Sequence, residues 1–534
     1  MIRKVVVRNY RKFRNLTVDL TPGTNILVGG NDSGKSTLIE AINLALTGRV
    51  NGRAFAQELS PYYVNQAATT EYIDDLKASR TAVPPEILIE VYLEDGGDAN
   101  LLQGTNNTLN EDTCGVRIWA RFDAARFDKE YKAFVAQPND VTLVPTEYYK
   151  VEWLGFSGSG VTARSIPATA SMVDPSAVRL QAGVDYHLQQ IIQTHLAPNE
   201  RVELARQYRS LRQAFGEQPS VKDINDKLKT SGQSLTTRAL SLAIDISQRT
   251  TWENTVTAHL DDVPLPFASK GEQSALKTVL AVGRKADGAH VVLIEEPEAH
   301  LSFDHLHMLL ERIEQQCEGK QIVVATHSNF VLNKLGLENL ILLGEDDSAV
   351  RLSQVPDETV RFFKKLAGYD TLRLVLAKAV ILVEGPSDEL VVQRGYIDSK
   401  GNLPIRDGID VISVGLSHKR FLDLAVPLKR RVWVVTDNDG KSKGEIEARF
   451  SAYSGNAFVS IHTGSDPNLK TLEPCIVATN DLEVLNTVLG AQHDSKDAVR
   501  DWMLEHKTEA ALAIFESATK ITMPEYIANV FKSA

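Results

Sequence analysis

Residues 29–37, Gly29-Gly30-Asn31-Asp32-Ser33-Gly34-Lys35-Ser36-Thr37, follow the apolar run Asn25–Val28 and precede a segment with helical spacing. Strand, glycine-rich turn and helix, in that order, form the setting of a P-loop. Its consecutive backbone N–H groups and helix N-terminus hold phosphate oxygens. Lys35 is expected to reach the β- and γ-phosphates of ATP, and Ser36 to coordinate Mg²⁺. Gly29, Asn31, Gly34 and Thr37 complete the cradle. A ligand-free glycine turn is the bland alternative, and the two flanking elements weigh against it.

Downstream, the run Val291–Ile294 ends in Glu295-Glu296-Pro297-Glu298. A buried strand that delivers carboxylates suits a Walker B element: Glu295 near the Mg²⁺ shell, Glu296 orienting the attacking water. Between the two lies Ser269-Lys270-Gly271-Glu272-Gln273, just ahead of a helical pattern. It resembles the signature sequence of ABC-type ATPases, in which a Ser hydroxyl and a Gly backbone meet the γ-phosphate held by another subunit. Ser269 with Glu272 three residues on is equally a helix capping box, and both readings can hold together. Glu298-Ala299-His300-Leu301 stands like a D-loop. His327, after the strand Ile322–Ala325, stands like a switch histidine. Ala268 and Lys270 depart from the usual signature. One signature faces away from its own P-loop in such heads, so a homodimer or higher homo-oligomer is expected.

A second alternation of strands and helices starts at Ala379–Val383, which ends in Glu384-Gly385-Pro386-Ser387-Asp388. Val432–Thr436 ends in Asp437-Asn438-Asp439-Gly440. In open α/β sheets the carboxyl ends of strands are where sites form. Glu384, Asp437 and Asp439 there would suit hard divalent cations, Mg²⁺ or Mn²⁺, rather than zinc. Paired ions of that kind activate water and stabilise the leaving oxygen in phosphodiester cleavage. Taken alone, Asp-Asn-Asp-Gly is a turn sequence; the Glu-Gly pair on its own strand favours a site.

The chain has 534 residues, 43% of them hydrophobic, enough for several cores. Its formal net charge of -11 does not advertise nucleic-acid binding, although acidic clusters can mask a local basic groove. Lys419, Arg420, Lys429, Arg430, Arg431, Lys441 and Lys443 gather around the second site, either as a DNA-backbone patch or as a solvated face. Cys114, Cys317 and Cys475 make neither a metal pair nor a disulfide framework. The opening residues lack a signal-peptide core, and no stretch is long and apolar enough to span a bilayer, so a cytoplasmic protein without membrane contact is expected.

Taken together, these residues resemble the overcoming-lysogenization-defect (OLD) family of nucleases. The resemblance implies an α/β chain: an ABC-type P-loop ATPase head with an inserted helical dimerisation arm, then a Toprim (Rossmann-like) nuclease domain. The expected boundaries are 1–165 and 251–360 for the ATPase, 166–250 for the arm and 361–534 for the Toprim domain. Glu384, Gly385, Asp388, Asp437 and Asp439 match the Toprim signature. By the same resemblance Glu473, in Thr471-Leu472-Glu473, joins the metal site, and Lys507 is a basic catalytic residue. Double-stranded DNA is the implied substrate. Antiphage defence is the implied setting, with a companion defence protein or nucleic acid as a further partner. The runner-up is a repair-type ATPase that clamps DNA without cutting it.

Overall fold

The computed structural model describes residues 1–173, 180–181, 184–185, 196–231, 242, 244, 259–283, 289–316, 319–352, 355–366 and 368–533. The chain divides into two compact units, 1–25 with 34–326, and 26–33 with 327–534.

In the first unit, β1 (Ile2–Tyr10) pairs antiparallel with β2 (Phe13–Asp19), Val6 opposite Thr17. After β3 (Thr24–Val28), β4 (Ile87–Leu93) joins the other side of β1, and β5 (Thr113–Phe122) and β6 (Tyr149–Gly155) extend the sheet. A second set of strands is parallel: β7 (Ala168–Val173), β8 (Ala289–Glu295) and β9 (Lys320–Ala325), with Ser171 opposite Val292 and Val292 opposite Ile322. Helix α1 (Lys35–Thr47) packs against strands of both sheets. That position explains its composition: Leu38, Ile39, Ala41, Ile42, Leu44, Ala45 and Leu46 are all buried, so it is apolar nearly all round. Gln321, wholly buried in β9, ties the layers. Its Oε1 accepts from Ile2 N at 2.7 Å and its Nε2 donates to Ile2 O at 2.7 Å.

The stretch 166–250, read from sequence as a helical arm, begins differently. Its first ordered element is β7, a strand of the parallel sheet. Helices α2 (Pro198–Glu217) and α3 (Pro219–Ser231) follow. The rest of that stretch lies largely outside the described residues.

In the second unit, α4 (Asn329–Leu335) leads to β10 (Leu340–Leu343), which runs parallel to residues 26–28 of β3. Within this unit, Asn329 and Asn333 bind the segment at 371–372. Leu372 N donates to Asn329 Oδ1 at 2.7 Å, and Thr371 Oγ1 to Asn333 Oδ1 at 2.8 Å.

Four parallel strands then form a sheet. In chain order they are β11 (Ala379–Val383), β12 (Ile409–Ser413), β13 (Arg431–Thr436) and β14 (Val459–Thr463); in space the order is β12-β11-β13-β14. The inner strands are continuous apolar runs, as helices on both faces require. α5 (Pro386–Lys400), α6 (His418–Ala425), α7 (Leu472–Thr479), α8 (Lys507–Glu516) and α9 (Glu525–Ser533) belong to this layer. Ile381, Val383, Val391, Tyr396, Trp433, Ile476 and Phe531 lie in one of its buried cores. Arg394, almost wholly buried on α5, fastens the C-terminal helices: it donates to Ile514 O and Phe515 O at 3.1 Å and to Thr519 O at 3.0 Å. Among the described residues, no helix is long and apolar enough to cross a membrane.

Candidate active site

The P-loop helix starts at Lys35, which is buried, and Gly34 before it has φ 93°. A side chain at Gly34 would meet Phe13 Cζ at 2.5 Å, so both backbone angle and space require glycine there. Gly29 is equally constrained, since a Cβ would lie 2.7 Å from Leu343 O. Asn31 and Ser36 are exposed, and Thr37 is partly buried. The Ser33 hydroxyl is buried against Gly29, without a hydrogen-bond partner among the described residues.

Glu295 ends β8, and the next residue, Glu296, takes φ 41° with its N–H on Ala325 O at 2.8 Å. This turn directs the Glu296 side chain outward. Glu298 accepts from Thr326 Oγ1 at 2.8 Å. Ser269 makes the complete capping box: its N–H and Oγ donate to Glu272 Oε2 at 3.0 and 2.7 Å, and its Oγ accepts from Glu272 N at 3.2 Å. A Cβ at Gly271 would stand 2.6 Å from His300 O. The glycine thus lets the D-loop-like backbone lie directly on the signature helix. His327, exposed, opens the second unit.

β11 delivers Glu384 and β13 delivers Asp437 to the same sheet edge. Glu384 Oε1 accepts from Asp437 N at 3.1 Å and from Thr436 Oγ1. Asp388 Oδ2 accepts from Gly385 N at 2.9 Å, which holds it over the start of α5. Glu473, buried at the start of α7, accepts from Thr471 Oγ1 at 2.7 Å and lies 3.3 Å from Lys507 Nζ.

Burial raises the Asp437 carboxyl to about 8, helped by Asp388, Glu384 and Glu473 and opposed by Lys507. Burial, with the charges of Glu384 and Glu473, raises Asp388 to about 6. So the carboxylates of Glu384, Asp388, Asp437 and Glu473 repel one another, and a divalent cation would supply the missing counter-charge. In donor chemistry the set fits a hard ion. In spacing, no group of three acidic, His or Cys side chains among the described residues is closed up as a cage around one.

Asp439 stands apart. It is exposed, with φ 51°, and its N–H donates to Lys470 O at 3.2 Å. It was expected to join Glu384 and Asp437 at a metal site; β13 ends at Thr436, and Asp439 lies exposed in the turn beyond it. Several of the basic residues near this site are occupied structurally. Arg420 pairs with Glu358 at 2.8 Å, and Arg430 donates to Val375 O at 2.9 Å. Lys419, Lys429, Lys441 and Lys443 remain exposed. Two further residues contribute. Asn438, buried between the two aspartates, donates to Asp466 O at 2.8 Å and Leu469 O at 3.2 Å. Tyr526 has a phenol that burial, then Cys475 and the carboxylates, push well above its ordinary pKa.

Comparison with known proteins finds three family matches along the chain. An AAA-domain family matches residues 4–150, a further AAA-domain family residues 255–333, and the Toprim domain of overcoming lysogenization defect protein-like proteins residues 375–439. The chain carries two AAA-domain segments followed by a Toprim domain. More particularly, that Toprim domain is of the kind found in overcoming lysogenization defect protein-like proteins. The endonuclease GajA of Bacillus cereus is 20% identical over 466 residues, covering 82% of this chain and 75% of that protein. The DNA replication and repair protein RecF of Heliobacterium modesticaldum is 33% identical over 106 residues, 20% of this chain and 26% of that one. This chain therefore spans about a quarter of RecF. Among solved structures, an SMC head bound to the C-terminal winged-helix domain of ScpA matches at 14% identity and TM-score 0.34, covering 66% of this chain and 98% of that one. The SMC head domain of Thermotoga maritima matches at 14% identity and TM-score 0.27, covering 64% and 94%.

Proposed function

We propose that the chain is an ATP-binding, divalent-metal-dependent DNA endonuclease that nicks or cleaves double-stranded DNA, acting as a homo-oligomer in antiphage defence. The observation that carries this reading is the cluster of Glu384, Asp388, Asp437 and Glu473 with Lys507 beside it at a sheet's carboxyl edge. The similarity to the Bacillus endonuclease over most of the chain supports it.

Glu384 and Asp437 would hold Mg²⁺ or Mn²⁺, with Asp388 and Glu473 completing the shell. When bound, such ions supply a nucleophilic water and polarise the phosphate. The residues do the rest. The Asp437 N–H fixes the Glu384 carboxylate toward the site. Thr471 and Lys507 hold Glu473. The Lys507 ammonium stands ready to offset charge on the phosphate as the bond breaks. In the ATPase unit, Lys35 would bind the ATP phosphates. Ser269 and Gly271 would address the nucleotide of another copy, coupling ATP occupancy to assembly.

The test is supercoiled plasmid incubated with Mg²⁺ or Mn²⁺, with and without ATP. Nicked or linear product from the wild type, lost in Asp437→Ala, is expected. Intact plasmid under every metal and nucleotide condition refutes the nuclease.

A further inference from the structure

A second feature shares the carboxyl edge of the Toprim sheet, one strand along from the carboxylates. At the end of β14 lies a cavity of about 300 Å³, lined among others by Thr463, Leu469, Pro524, Tyr526 and Asn529, with Lys443 contributing to its wall. That volume is at the small end of ligand sites, roughly 300–1,000 Å³. It suits one heterocycle and not a triphosphate.

Three observations make it a built site. Thr463, 5% exposed, presents a buried hydroxyl with no hydrogen-bond partner among the described residues. Natural proteins seldom leave such a group unmade. Next, Thr463 stands in register with Thr436, the residue before Asp437. Adjacent strands are ~4.8 Å apart, so the cavity floor lies one strand spacing from the edge that carries Asp437. Finally, Asn438 staples the loop that walls the cavity, through Gly464 O, Asp466 O and Leu469 O at 3.4, 2.8 and 3.2 Å. A single buried side chain thus spaces the cavity relative to Asp437.

We propose that this cavity receives an unstacked nucleobase of the DNA strand being cut, next to the scissile phosphate. Leu469, Pro524 and Tyr526 offer apolar walls to its faces, while Thr463 and Asn529 address its polar edge. Lys443 meets the backbone outside. Extracting a base requires unstacking, which pocket contacts offset. The site would therefore impose a base preference beside the cut. The inference rests on the endonuclease reading.

The experiment uses the full chain and duplexes carrying 2-aminopurine at successive positions around a mapped cut, with Ca²⁺ in place of Mg²⁺ to hold the DNA uncut. Fluorescence should rise at one flanking position, and the rise should vanish in Asn529→Phe, which fills the cavity. With Mg²⁺, the ratio of cleavage at favoured and disfavoured bases in one pooled reaction should fall about 3- to 10-fold in Thr463→Val, the effect of one hydrogen bond. A ratio is unaffected by loss of folded protein. No fluorescence rise at any position in a wild type that cuts, or unchanged ratios in both variants, overturns the inference and leaves the endonuclease standing. Binding of free nucleoside monophosphate without a rise on DNA assigns the cavity to a free nucleotide, and also overturns it. A wild type that cuts nothing removes the endonuclease reading and this one together.

Discussion

Lys507 Nζ lies 3.3 Å from Glu473 Oε1, joining a half-exposed ammonium to a carboxylate that is only 6% exposed. The pair links α8 to α7, and the Lys507 charge opposes those of Asp388, Glu384 and Glu473 at Asp437. Two roles are separable here. As an electrostatic counterweight to the acidic cluster, Lys507 competes with a bound cation. As a donor to the phosphate, it lowers the barrier.

Lys507→Met should therefore reduce the cleavage rate about 100-fold, the size of one lost charge-stabilising donor. It should lower, not raise, the Mg²⁺ concentration giving half-maximal rate. Plasmid cleavage across a metal titration reads both. A higher metal requirement with an unchanged maximal rate would mean that Lys507 only positions Glu473.

Arg394 should matter to stability rather than to chemistry directly. Its guanidinium pairs with Asp398 at 2.9 Å and donates to carbonyls of the 514–519 segment that ends α8. Arg394→Met strands a largely buried carboxylate and several carbonyls. A loss of about 3–5 kcal/mol is expected on breaking such a buried pair. Arg394→Lys should recover little, because a point charge cannot serve a fan of acceptors. Urea unfolding of the three proteins decides; equal midpoints for Lys and Arg would refute the multidentate role.

What was legible in the sequence was whatever depends on neighbours along the chain. The P-loop, the Walker B run and the Glu384 and Asp437 strand ends announce themselves through apolar runs that stop at glycines or carboxylates. Thr113–Phe122 and Tyr149–Gly155 were hidden because glycine and turn formers crowd that region, and the strands are stabilised across the sheet: Arg121 on the first pairs with Glu152 on the second at 2.9 Å. The exposure of Asp439 follows from the turn after Thr436, which the sequence marked only as a turn or a metal site. Asn438 turns its amide into the fold, and the chain reverses at Gly440, φ 79°. Tyr526 and the Asn438 staple depend on segments dozens of residues away, so no local pattern marks them.

Gly271 has its Cβ position 2.6 Å from His300 O, so even alanine forces the D-loop-like backbone off the signature helix. The P-loop lies elsewhere in the chain and does not feel this change. Gly271→Ala should leave ATP affinity unchanged. It should cut ATP turnover about 100-fold, as a displacement of ~1 Å does in a preorganised site. Nucleotide-binding titration and phosphate release separate the two. Turnover equal to wild type would mean that the contact has no part in hydrolysis.

His418 sets a pH window for folding. It is 2% exposed, its Nε2 has no hydrogen-bond partner among the described residues, and the Phe450 ring lies edge-on at 6.2 Å. Burial, with the nearby Arg449 charge, lowers its pKa from 6.5 to about 4. The unfolded chain then binds the extra proton between those values. Stability from the neutral imidazole is complete above pH 6.5 and is lost as pH falls toward 4. At pH 5 the loss should reach roughly 2 kcal/mol. His418→Gln removes the titrating group. The wild type should thus lose more unfolding free energy than the variant between pH 7 and pH 5, while the raised carboxyls of Asp388 and Asp437 act the opposite way and equally in both proteins. Urea midpoints that fall in parallel for the two would show that His418 is solvated, or already protonated, in the folded chain.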